Sequence, residues 1–124
     1  MDNAYKKVVI VDDEPYIRQS FSDYFQDNSW ETVSAESGER ALELLKLELP
    51  DCAIVDIRLG GMGGEEFIKK AYDLVDKLVF IVCTGSPEYE ISEDIKKLPR
   101  VSNKMFKKPV TDLDVLVREC DNLV

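Results

Sequence analysis

Short apolar runs alternate along the chain with longer stretches in which apolar residues recur every three or four positions. Runs rich in valine and isoleucine fall at residues 7–11, 32–35, 52–57, 78–83 and 104–107. Three of them are nearly continuous in apolar residues, the pattern of strands covered on both faces. The intervening stretches have helical spacing. Ile17, Phe21, Tyr24 and Phe25 form one stripe behind Pro15, a residue suited to a first helical turn. Ala41, Leu42, Leu44 and Leu45 follow Ser37, a candidate N-cap. Phe67, Ile68, Ala71, Tyr72 and Val75 follow a glycine-rich loop. Ile91, Ile95 and Leu98 make a weaker stripe that Pro99 must end, and Leu113, Leu116, Val117 and Cys120 follow Thr111 and Asp112, either of which suits a cap.

Five strands alternating with five helices predict an α/β fold, a parallel sheet with helices on both faces. Such sheets bind ligands beyond the carboxyl ends of their strands. The chemistry is therefore sought there. The first strand ends in Asp12, Asp13 and Glu14, and the third in Asp56. The fourth ends in Thr84 before Gly85 and Ser86, and the fifth in Lys107, Lys108 and Pro109.

This set suits phosphoryl chemistry. A carboxylate can act as a nucleophile and form an acyl phosphate. Neighbouring carboxylates can hold Mg²⁺, and a lysine and a hydroxyl can bind phosphoryl oxygens. Gly60, Gly61, Gly63, Gly64 and Gly85 lie in two loops at the same edge, where glycine lets backbone amides approach an anion. Gathered together, Asp12, Asp13 and Asp56 would repel one another, so strain is expected in the metal-free site.

Composition narrows the picture further. A chain of 124 residues is sized for one domain, and its 44% hydrophobic and 33% charged content is that of a globular protein. No apolar run reaches the ~18 residues of a membrane span, and the first residues do not form a signal-peptide pattern. A cytoplasmic location is expected. The net charge of −9 argues against direct nucleic-acid binding. With no histidine in the sequence, phosphohistidine carriers, histidine bases and histidine metal ligands are excluded. Cys52, Cys83 and Cys120 lack metal-ligand spacing and are expected to be buried, reduced thiols, with redox sensing a distant second reading.

At this point the sequence resembles the receiver domains of two-component response regulators, from about Lys6 to the last helix. The resemblance rests on VVIVDDEP, on Asp56 with IRLGGMGG after it, on CTG at Thr84 and on KKP. It implies a three-layer, doubly wound, flavodoxin-like fold with strand order 2-1-3-4-5, and residues 1–124 forming one receiver domain. Asp56 is then the phosphoacceptor. Asp12, Asp13 and Asp56, with the backbone carbonyl of Arg58, would hold Mg²⁺ or Mn²⁺. Thr84 and Lys108 would contact the phosphoryl group, and the Lys108–Pro109 peptide would be cis. The implied donor is a sensor histidine kinase or a phosphotransfer protein. The implied output runs through an output domain or effector protein, with a phosphorylation-dependent dimer as a further expectation. Such a domain is a signalling switch, not an enzyme acting on other molecules. No residues remain for an effector, so the chain is expected to be a stand-alone regulator or a fragment.

Three positions depart from the family pattern. Gly60 stands where proline is common, and segment 99–103 lacks the usual small-residue turn. Met105 occupies the place of the switch aromatic, and Phe106 should face the opposite way by strand alternation. The second and third departures bear on signal output rather than on phosphorylation. By the same alternation, Lys107 reads as a solvated neighbour of Lys108. Ser86 and Glu88 are given no chemistry. Competing classes fit less well. Phosphatases with an aspartyl intermediate carry Asp-x-Asp, whereas Ile57 and Arg58 follow Asp56. A flavodoxin-like cofactor binder would have a Ser/Thr/Gly-rich loop where Asp12 and Asp13 stand. A docking module that ignores phosphate would not need the acidic and basic motifs.

Overall fold

The computed structural model describes residues 5–124; residues 1–4, part of the stretch read against a signal peptide, lie outside them. Its elements are β1 (Lys7–Val11), α1 (Pro15–Asp27), β2 (Glu31–Ala35), α2 (Gly38–Glu48), β3 (Cys52–Asp56), α3 (Gly64–Leu74), β4 (Val79–Thr84), α4 (Glu93–Lys96), β5 (Phe106–Lys107) and α5 (Leu113–Leu123). The strands form one parallel sheet in the order β2-β1-β3-β4-β5. No helix among the described residues is long and apolar enough to cross a membrane.

Alternation along the strands sorts the core into two halves. Val9, Val11, Ala53, Val55, Phe80 and Val82 pack under α2, α3 and α4 with Leu45, Phe67, Ile68 and Ile95. Val8, Ile10, Cys52, Ile54 and Ile81 pack under α1 and α5 with Phe21, Phe25, Leu116 and Val117. The inner strands β1, β3 and β4 are buried almost throughout, while the edge strands β2 and β5 are partly exposed. That is why the sequence shows continuous apolar runs only in the middle of the sheet.

The caps follow the sequence signals. Pro15 occupies the first turn of α1, and the Ser37 side chain accepts from the Arg40 N–H at the start of α2. Of the two candidates before α5, Asp112 is the cap, accepting from the Asp114 N–H.

The last third departs from expectation. Between Ser92, which caps α4, and Pro99, which cannot continue a helix, there is room for a single turn. Strand β5 is shorter than the expected 104–107, because the Lys104 N–H donates to Ser102 Oγ at 3.0 Å. The edge of β4 is covered in two pieces. Val101 bridges Phe80 near its start, and Phe106 and Lys107 pair with Cys83 and Thr84 at its end. Arg100 fixes the first piece. Its guanidinium carbon lies 3.7 Å from the centre of the Tyr72 ring, and its nitrogens donate to the carbonyls of Tyr72, Val75 and Leu78. Met105 packs with the α2–α4 half of the core and Phe106 with the other, as alternation required.

Candidate functional site

The carboxyl ends of β1, β3, β4 and β5 bring Asp12, Asp13, Asp56, Thr84 and Lys108 to one end of the sheet. Strand parity explains their grouping. Asp12, Asp56 and Lys108 continue the side-chain series that faces α1 and α5. Thr84 and Lys107 continue the series facing the other way.

Asp12 and Asp56 are almost fully buried, at 3% and 4% exposure. Each carboxylate accepts a backbone N–H two residues further on. Asp12 Oδ1 takes that of Glu14 at 2.9 Å, and Asp56 Oδ1 that of Arg58 at 3.1 Å. The Lys108 ammonium lies between the other two oxygens, 2.7 Å from Asp12 Oδ2 and 3.2 Å from Asp56 Oδ2. It also stands 3.5 Å from Glu14 Oε1. The Lys108 N–H donates to the Thr84 carbonyl at 2.8 Å, and the Lys108–Pro109 peptide is cis. Lys107 points elsewhere, donating to the Pro87 carbonyl at 2.9 Å.

Burial pushes the Asp56 carboxyl above its ordinary pKa, and the Asp12 charge adds to this. The Arg58 N–H and Lys108 offset only part of it. For Lys108, burial works downward, but the hydrogen bond and charge of Asp12, with the charge of Asp56, raise its pKa. The ammonium is therefore held firmly charged. Thus the strain expected among the acids is relieved for Asp12 and Asp56 by a cation from β5's exit, a neutralisation the sequence reading had assigned only to the phosphorylated state.

Asp12, Asp13 and Asp56 each offer a carboxylate oxygen, all within 4.8 Å of one another. Together with Glu14 these acids outnumber the single ammonium among them, leaving negative charge on hard oxygen ligands. That donor set fits Mg²⁺ or Mn²⁺. An open cleft of about 410 Å³ leads to it, lined by Asp13, Glu14, Ile17, Asp56, Arg58, Gly85, Lys108 and Pro109.

Two loops frame the cleft. Gly64 begins α3 where a Cβ would lie 2.6 Å from the Asp56 carbonyl oxygen and 2.7 Å from Ile57 Cα. This glycine serves close packing of α3 on β3, and its N–H donates to the Ile57 carbonyl at 3.1 Å. Ser86, given no chemistry from sequence, joins the two loops. Its N–H donates to Thr84 Oγ1 at 3.0 Å, and its Oγ accepts from Arg58 Nη2 at 3.2 Å. Glu65 and Tyr89 were also missed. The Tyr89 hydroxyl and the Ser92 N–H both donate to Glu65 Oε2, linking α3 to the segment after β4. Their only sequence signal is that each follows a glycine-containing loop at the site edge.

A buried acid at the end of a central parallel strand, an acidic pair beside it and a lysine reaching both define a receiver. The chain belongs to the response regulator receiver domain family, whose pattern matches residues 8–118. Sporulation initiation phosphotransferase F of Bacillus subtilis is 29% identical over 109 residues, covering 88% of this chain and 86% of that protein. A cyclic di-GMP phosphodiesterase of Thermotoga maritima is 32% identical over 109 residues, covering 88% of this chain but only 28% of that protein. Among solved structures, a CheY-like receiver domain protein from Methanospirillum hungatei superposes with a TM-score of 0.82 at 26% identity, covering 97% of this chain and 94% of that one. TrrA from Thermotoga maritima, solved in complex with Mg²⁺ and BeF, gives 0.82 at 25% identity over 96% of this chain and 99% of that one.

Proposed function

We propose that the protein is a signalling switch that accepts a phosphoryl group on Asp56 in a Mg²⁺-dependent reaction. The observation that carries this reading is the Asp56 carboxylate, buried at the end of β3 yet open to the cleft and paired with Lys108. An Asp56 carboxylate oxygen attacks the phosphorus of the donor. The bond from phosphorus to the donor imidazole breaks, and an acyl phosphate remains. The donor is a sensor histidine kinase or a phosphotransfer protein.

Asp12, Asp13 and Asp56, with the Arg58 carbonyl, are the residues that would hold Mg²⁺ or Mn²⁺. Such a cation, when bound, neutralises charge on the phosphoryl oxygens. Lys108 supplies a fixed positive charge to the same oxygens. Thr84 Oγ1 already accepts from the Ser86 N–H, so its own proton is free to be donated to the phosphoryl group. Water later attacks phosphorus and regenerates the carboxylate. The chain acts as a phosphoacceptor domain and not as an enzyme on other substrates. It works in the cytoplasm, and residues 1–124 are one receiver domain. Its output is a changed interaction with an effector protein, an output domain or a second copy.

Intact-mass spectrometry after incubation with acetyl phosphate and Mg²⁺ tests the reading. One phosphoryl group should be gained by the wild type and none by Asp56→Asn. Equal labelling of the two proteins would overturn it.

A further inference from the structure

Two sulfurs that take no part in the phosphoryl site meet in the half of the core under α1 and α5. Cys52 opens β3, and Cys120 lies in the last turn of α5. Their Sγ atoms are 3.4 Å apart although 68 residues separate them in sequence. We propose that Cys52 and Cys120 form a reversible oxidation site, closing to an intramolecular disulfide that ties the C-terminal helix to the central strand.

A disulfide needs the sulfurs about 2.05 Å apart, so roughly 1.4 Å of approach remains, within reach of small side-chain rotations and a slight helix shift. The third thiol is placed out of range. Cys83 pairs with Asp56 at the far end of β3, whereas Cys52 pairs with Val79 at its start. Four residues along a strand separate these levels by about 13 Å.

In the closed fold the pair is inert. Both residues are fully buried, and the contact with Cys52, together with burial, pushes the Cys120 thiol well above its ordinary pKa. Access comes through local opening of α5 around Cys120, which costs far less than opening the central strand β3. A peroxide then converts the exposed Cys120 thiol to a sulfenic acid, releasing water. When the turn closes, the Cys52 sulfur attacks the oxidised sulfur, the S–O bond breaks, and a second water leaves. The two thiols together give up two electrons to one peroxide, and a dithiol reductant reverses the change. The resulting bond holds the last turn of α5 against the sheet.

The test exposes the reduced, folded protein to hydrogen peroxide, removes the oxidant and unfolds the product in an alkylating agent. Of its three thiols, one should be alkylated after oxidation, and peptide mapping should join Cys52 to Cys120. Dithiothreitol should restore three alkylated thiols, Cys83→Ser should cross-link as the wild type does, and Cys120→Ser should not cross-link. The oxidised protein should also melt at a higher temperature than the reduced one. A product linked through Cys83, a link between two chains, or three alkylated thiols after peroxide would each overturn the assignment.

Discussion

The Lys108 ammonium lies 2.7 Å from Asp12 Oδ2, an ion pair with almost no access to solvent. The same nitrogen reaches Asp56, so one side chain balances both buried acids before any phosphoryl group arrives. Lys108→Ala should destabilise the metal-free protein by about 3 kcal/mol, because it leaves two buried carboxylates without their cation. Lys107→Ala should cost less than about 0.5 kcal/mol, its contact being a single exposed one. Urea titrations in a chelator measure both, and signalling in a reconstituted kinase assay should fail only for Lys108→Ala. Similar losses from the two substitutions would contradict the role given to Lys108.

Asp13 is the exposed member of the acidic cluster. Its charge faces the others without the relief that Lys108 gives them. Asp13→Asn should therefore stabilise the metal-free protein by up to about 1 kcal/mol, the scale of a like-charge contact near water. It should also shrink the rise in melting temperature that millimolar Mg²⁺ produces in the wild type by binding the folded state. Melts at constant ionic strength decide this, and an unchanged Mg²⁺ response would remove Asp13 from the metal site.

Arg58 reaches across the mouth of the cleft to Ser86, over a second opening lined by Gly85 and Pro87. Removing its side chain opens a path for water to the phosphoryl group. Arg58→Ala should keep phosphorylation but speed its spontaneous loss by up to about tenfold, equivalent to roughly 1.4 kcal/mol. The decay of acetyl phosphate-labelled protein gives the rate, and an unchanged or slower decay would contradict this role.

Gly64→Ala should destabilise the protein by about 1–3 kcal/mol, since the new methyl group meets the backbone of Asp56 and Ile57 rather than a yielding side chain. Denaturant titration checks it. A neutral result would show that α3 can shift without cost.

Glu65 links α3 to the segment after β4. Burial works to raise its pKa, but hydrogen bonds from Tyr89 and Ser92 more than reverse this and hold it below its ordinary value. A depressed carboxylate stabilises the fold above its unfolded pKa, and that contribution is lost as pH falls through the folded value. Glu65→Gln should therefore cost about 1 kcal/mol near pH 7, the scale of a hydrogen bond, and progressively less below about pH 4. A cost that is independent of pH would assign the effect to packing.

Much of this was legible in the sequence for a physical reason. Inner strands covered on both faces show as unbroken valine and isoleucine runs, and the polar residues that interrupt them at the carboxyl ends stand out. Asp12, Asp56, Thr84 and Lys108 were visible in that way. The edges were harder to read. The two-piece cover on β4 depends on Arg100 and on the Ser102 turn, contacts that no periodicity reports. Helix α4 shortens to one turn because Ser92 and Pro99 act together. The link between Glu65 and Tyr89 joins residues 24 apart in the chain, so only the fold reveals it. The Cys52–Cys120 contact was hidden for the same reason, since spacing alone showed three unrelated buried thiols.

The central claim is that the carboxylate of Asp56 becomes an acyl phosphate. An acyl phosphate is reduced by borohydride to an alcohol, whereas a phosphate ester on serine or threonine is not. The protein should be labelled with acetyl phosphate and Mg²⁺, reduced with tritiated borohydride, digested and mapped. Tritium should appear in one peptide, with homoserine at position 56. Tritium at another acid, or a phosphoryl group that survives borohydride on Thr84 or Ser86, would contradict the account.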